Sequence, residues 1–139
     1  MPAATTEVRP AAPVRSPVST VIAAWLVPGA GRFLVRRRAR AAIVFLTVLI
    51  CFVTGLLMHG PMFEPGGGGD VLTNLIRWGG WVGDHAAGLL YFGAVWMGYA
   101  APDTAGHTAD YGSKFLVAAG LLNILAMVDA YEIATRQKD

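Results

Sequence analysis

Between Trp25 and Arg40 the chain reads W-L-V-P-G-A-G-R-F-L-V-R-R-R-A-R, and eighteen uncharged residues, Ala41 to Met58, follow at once. A Pro-Gly-x-Gly break thus sits beside five arginines in nine residues, with apolar runs on both sides. Proline removes a backbone donor and glycine accepts turn conformations, so the break predicts a hairpin between helices. An eighteen-residue run without charge or proline predicts a helix long enough for lipid, despite β-branched and aromatic residues that would suit a buried strand in water.

Composition supports that environment. Of 139 residues, 55% are hydrophobic and 14% charged, against about 25% charged in soluble domains. The length fits one domain. The net charge of +2 arises mainly from the arginine cluster, which lies between apolar segments and not on a soluble basic face, so nucleic-acid binding is excluded. Cys51 is the only cysteine, which rules out an internal disulfide and any multi-cysteine metal or redox motif. It is read as a small, weakly polar residue facing lipid or another helix.

Residues 1–16 are rich in Ala, Pro and Thr and are expected to form a disordered tail. With Glu7 and prolines at 2, 10 and 13 they make a poor secretory n-region, and no clear cleavage site precedes Arg32. Residues 17–139 are expected to form a single membrane domain with helices near 17–35, 40–59, 70–79, 84–101 and 111–135. Two placements fit the first segment. Its fifteen uncharged residues, Pro17 to Gly31, give roughly 22 Å of helix against a hydrocarbon core of about 30 Å. Extended by Phe33, Leu34 and Val35 it spans, which is the favoured reading; otherwise it is a re-entrant half-helix. The third segment carries the small-residue pair Ala94 and Gly98, and the fourth a stripe at Ala126, Ala130 and Ala134, both suited to helix contact. The linker Gly66–Gly69 leads to Asp70, placed to cap a short amphipathic helix. That helix carries Val71, Leu72, Leu75, Ile76 and Trp78 on one face and is expected at the membrane surface.

Lys and Arg mark the cytoplasmic side, so Arg32, Arg36, Arg37, Arg38 and Arg40 are read as a topology signal and a contact for anionic lipid. A four-span arrangement leaves six Lys/Arg inside and five outside; a re-entrant first segment with the tail inside gives eight against three. The cluster dominates either way.

The remaining motifs point away from catalysis. Gly66–Gly69 lacks the Gly-Lys-Ser/Thr ending of a phosphate loop and is followed by Asp70, so it reads as a linker. His59, His85 and Asp84 near one boundary form a conceivable two-His, one-carboxylate cluster, but no two histidines share a helix at i, i+4, and interfacial polarity is the better account. Asp103, His107 and Asp110 read as a solvated turn. Neither metal nor cofactor is expected, and no nucleophile–base–acid set, HExxH or GxSxG is present. Asn123 and Asp129 are the candidate intramembrane polar site, because burying polar groups in lipid is costly. Asn123 is expected to reach Thr47 or Thr54, and Asp129 to meet interfacial water.

The Trp25–Leu34 stretch, with its basic turn and apolar helix, resembles small bacterial integral membrane proteins of uncharacterised families that carry a W-L-x-P-G-x-G-x-F-L helix hairpin. The ending N-I-L-A-M-V-D-A-Y-E-I-A-T (Asn123 to Thr135) is similar to the C-terminal end of one such four-helix family. The matching stretches cover about a third of the chain, and R-R-R-A-R departs from the Gly-containing basic turn expected there. The resemblance implies architecture and a bacterial inner-membrane location, and it supplies no activity.

The expected fold is therefore all-α: an integral membrane helical bundle of three to four transmembrane helices plus a short interfacial helix. The hairpin turn falls on Pro28, Gly29 and Gly31. The expected function is non-enzymatic, a structural or accessory subunit packing with itself or a larger membrane complex within the lipid bilayer. The alternative is a minimal oligomeric transporter or channel using Asn123 and Asp129.

Overall fold

The computed structural model describes residues 16–34, 38–102 and 106–136. They form six helices and no strands: α1 (Pro17–Leu26), α2 (Ala30–Leu34), α3 (Arg38–Leu57), α4 (Val71–Ala86), α5 (Leu89–Trp96) and α6 (His107–Arg136). Two of them, α3 and α6, are long and apolar enough to cross a membrane.

Local chemistry explains the ends. Ser16 caps α1 through Ser19 N–H, with Pro17 in the first turn, where its missing donor costs nothing. Asp70 caps α4 through Thr73, and the hydrogen bonds from the Thr73 hydroxyl and then its backbone N–H hold the Asp70 carboxyl below the ordinary range. The segment expected as one helix over 17–35 breaks at Val27–Gly29. Gly29 has φ +81°, and a Cβ there would lie 2.6 Å from the Ala41 carbonyl oxygen. The expected surface helix over 70–79 is also different. It continues to Ala86, and a second break at Ala87–Gly88 (φ +62°) separates it from α5. Gly88 faces the Trp25 and Leu26 carbonyls so closely that only glycine fits.

Everything is arranged along α6. Antiparallel to it runs α3, with Gly55 against Leu116 and Gly112. In the same direction as α6 runs α4, since Gly83 lies on Gly120 and Ala86 on Asn123. Opposed to α6 is α1, with Trp25 beside Asn123, while Thr20 and Ala24 approach Ala130 through Gly31. Two hairpins, α1–α2 and α4–α5, therefore enter from opposite ends of α6 and meet tip to tip near its middle. Each is followed by a long helix, and each turns on a positive-φ glycine immediately before its returning helix.

The interior is built from small and polar residues. Ala24, Ala41, Ala119, Ala126, Ala130 and Ala134 are buried, as are Thr20, Asp84, Ser113 and Asn123. The larger apolar contacts, Val48, Phe52 and Leu116, pack with Ala87 and Ala94 on one side of the hairpin junction. The expected Ala126–Ala130–Ala134 stripe is buried, and Gly31 presses on Ala130: a Cβ there would come within 2.6 Å of the Ala130 methyl. Of the Ala94–Gly98 pair only Ala94 is buried.

Candidate functional site

Breaking a helix leaves carbonyl groups without partners, and at depth in an apolar setting each must be satisfied. The ends of α1 and α4 face that problem together, and Asn123 answers it. Its amide Nδ2 donates to the Ala86 carbonyl at 2.8 Å and to the Trp25 carbonyl at 3.2 Å. Trp25 returns the link by donating its indole N–H to the His85 carbonyl at 3.1 Å. Asn123 is fully buried and its Oδ1 has no partner. The expected partners Thr47 and Thr54 are not those found: Thr47 bonds its own helix at Ile43, because the broken helix ends offer Asn123 closer acceptors.

Beside this junction, aromatic rings fill the α4–α5 elbow. His85 lies between Trp81 and Tyr91, each with ring centroids at 4.2 Å, and its Nδ1 is 2.9 Å from the Trp81 carbonyl. Phe92 meets Trp25 edge-on at 6.1 Å. His59 lies instead at the far end of α3, exposed, with φ +55°. The His59, His85 and Asp84 trio is thus not brought together, and no group of three or more potential metal-binding side chains occurs among the described residues.

Asp84 occupies its own site. It is 1% exposed, next to Gly83 where α4 lies on α6. The Phe63 backbone N–H donates to Oδ2 at 2.7 Å, and Oδ1 has no partner. Tyr91 stacks on His85, the residue next to Asp84. Segment 60–64 covers the site. It is held where Tyr99 Oη donates to the Gly60 carbonyl (3.1 Å), Ser113 Oγ to the Pro61 carbonyl (2.9 Å), and the Phe63 ring packs over Gly80.

Asp129 pairs with Arg32, Nε to Oδ2 at 2.8 Å, rather than meeting water alone. The pair ties the first hairpin to α6. Arg38 and Arg40 are exposed at the start of α3; Arg36, Arg37 and Asp103 lie outside the described residues. Pro28, Gly29 and Gly31 all lie buried at the first turn. The sequence places Asp84 at a boundary beside His59 and His85, and it does not single out Gly88. The available signal was a charge next to small residues (Gly79, Gly80, Gly83) at the edge of an apolar run.

No curated protein and no solved structure matches the chain. A family pattern does match, over residues 19–139, in keeping with the resemblance to an uncharacterised family. The chain belongs to DUF6677, a family of unknown function.

Proposed function

We propose that the protein is a multi-pass integral membrane protein, with α3 and α6 spanning and the two hairpins re-entrant. In this reading it works without catalysis, as a structural or accessory subunit packing against itself or a larger membrane complex. One observation carries this reading: the side chains are sorted inside out. Ile43, Leu46, Ile50 and Leu57 on α3, Leu121, Leu125 and Val128 on α6, and Leu72, Leu75 and Ile76 on α4 are exposed, while the interior is mostly Ala, Gly and polar groups around Val48, Phe52 and Leu116. Water disfavours such a surface; lipid favours it, and small residues inside let backbones approach. The interior is filled by the chain's own residues, so the outward apolar faces are left for partners.

Dimensions and charge agree. The twenty residues of α3 give about 30 Å, the thickness of the hydrocarbon core. Arg32, Arg38, Arg40 and Arg136 gather at one end of the bundle, and residues 35–37 add Arg36 and Arg37 in sequence; Arg77 and Lys114 lie toward the other. By the positive-inside rule the first end is cytoplasmic. The first hairpin then enters from the cytoplasm and the second from outside, and α6 ends inside. The proposed location is the bacterial inner membrane.

Crosslinking in native membranes followed by purification in mild detergent tests the accessory role. Recovery of a defined oligomer or a reproducible membrane partner is expected, and recovery of monomer alone overturns it. The meeting of two broken helices at Asn123 favours a second reading, a minimal oligomeric transporter or channel using Asn123 and Asp129, since membrane substrate sites are commonly built from such ends. It predicts a flux in reconstituted vesicles that Asn123→Ala and Asp129→Asn abolish. Absence of flux at every pH overturns it.

A further inference from the structure

A carboxylate removed from water needs a compensating charge or a full set of donors. Asp84 has neither. One backbone N–H reaches Oδ2, and Oδ1 is buried without a partner. The groups packed around it supply no cation. Tyr91 on α5, stacked on His85, and Glu64, next to Phe63 in segment 60–64, carry no positive charge. From α4 comes His85, whose ring is turned into the Trp81–Tyr91 stack. The α6 residues at this level, Val117, Gly120 and Asn123, do not titrate. Among the described residues the ion pair is that of Arg32 with Asp129, and it lies at the other hairpin.

We propose that Asp84 is a proton-binding site in the second hairpin: Oδ1 takes up the proton while Oδ2 continues to accept the Phe63 N–H. Binding converts a buried, uncompensated charge into a neutral acid without breaking the contact that seats segment 60–64. A carboxyl buried without a counter-charge is costly to keep, and a group kept only for packing would be served by Asn or Leu. The proposal needs the burial of Asp84 alone, and neither functional reading above.

The test is infrared spectroscopy of the full chain in phosphatidylcholine vesicles, with aspartate carboxyl groups labelled with carbon-13, titrated from pH 4 to pH 8. The expected result is an aspartate acid band that persists about two pH units above the exposed aspartates, roughly a hundredfold tighter proton binding. The Asp84→Asn variant should lack the band. If that variant fails to fold, Asp84→Glu, which keeps a carboxyl group, should move the signal out of the labelled spectrum. All aspartates titrating together in the ordinary range would overturn the proposal. So would a midpoint that falls as sodium or potassium replaces choline at fixed ionic strength, which would mark a cation site instead.

Discussion

Asn123 and Ala86 are joined by a 2.8 Å hydrogen bond from a side-chain amide to a backbone carbonyl thirty-seven residues away. The bond closes the end of α4, and the same amide reaches Trp25 at the end of α1. A single side chain at the middle of α6 thus does for two broken helices what water does for a helix end at a surface. Replacing it with Ala leaves two carbonyls and the indole-linked tip without that donor. A loss of about 2 kcal/mol is expected, since buried groups left unpaired cost roughly 1–3 kcal/mol each in water-soluble hosts and less in membranes. Thermal unfolding in detergent micelles measures it, and an unchanged midpoint would show that the tips hold without Asn123.

The two turn glycines give a sharper contrast. Gly29 and Gly88 both have positive φ, and each faces a backbone carbonyl where a methyl group has no room. Gly29→Ala and Gly88→Ala are each expected to cost on the order of 3 kcal/mol, combining left-handed strain with steric displacement. Gly93 is helical, and nothing lies within 4 Å of a Cβ placed there. Gly93→Ala should therefore be neutral, or stabilising by up to about 1 kcal/mol through helix propensity. If Gly88→Ala behaves like Gly93→Ala, the hairpin tips do not meet as described.

The Arg32–Asp129 pair is partly exposed, at 19% and 41%, so each single neutralisation should cost about 1 kcal/mol or less. Its purpose is placement: it fastens the short α2 to α6. The charge-reversed double variant, Arg32→Asp with Asp129→Arg, should recover most of what the singles lose. A double variant no better than the worse single would remove the pair from the account.

These outcomes bear on how far the sequence could be read. The first break was legible because Pro28, Gly29 and Gly31 stand together beside charge. The long apolar helices α3 and α6 were legible from the length of their apolar runs. The second break was not: Gly88 lies in a glycine-rich apolar run with no proline, and what singles it out is the Trp25 carbonyl pressing on it from another hairpin. The partners of Asn123 were hidden for the same reason. Backbone carbonyls become acceptors only where helices end, and the end of α4 was placed seven residues too early. Asp84 was read as a boundary residue because its burial depends on segment 60–64 folding back over it.

The placement of the hairpins can be checked in a Cys51→Ser background with single cysteines at Gly67 and Arg136. In sealed inside-out vesicles an impermeant thiol reagent should label position 136 and spare position 67, and right-side-out vesicles should reverse the pattern. Labelling of both positions from one side would mean that α6 does not cross between them.

Stability should also carry the mark of Asp84, with a definite sign. Its carboxyl is buried with Oδ1 unpartnered and no cation beside it, so the folded protein holds this proton more tightly than the unfolded chain. That stabilisation is present at and below the ordinary carboxylate range and is lost as pH rises through the folded-state midpoint. Asn matches the neutral acid in shape and does not titrate. Wild type and Asp84→Asn should therefore unfold at similar temperatures near pH 4 and diverge as pH rises toward neutrality, with the variant the more stable there. Because every other titrating group is common to both proteins, the difference between their pH profiles isolates this one. Parallel profiles would mean that Asp84 reaches water in the folded state, and that segment 60–64 does not seal it.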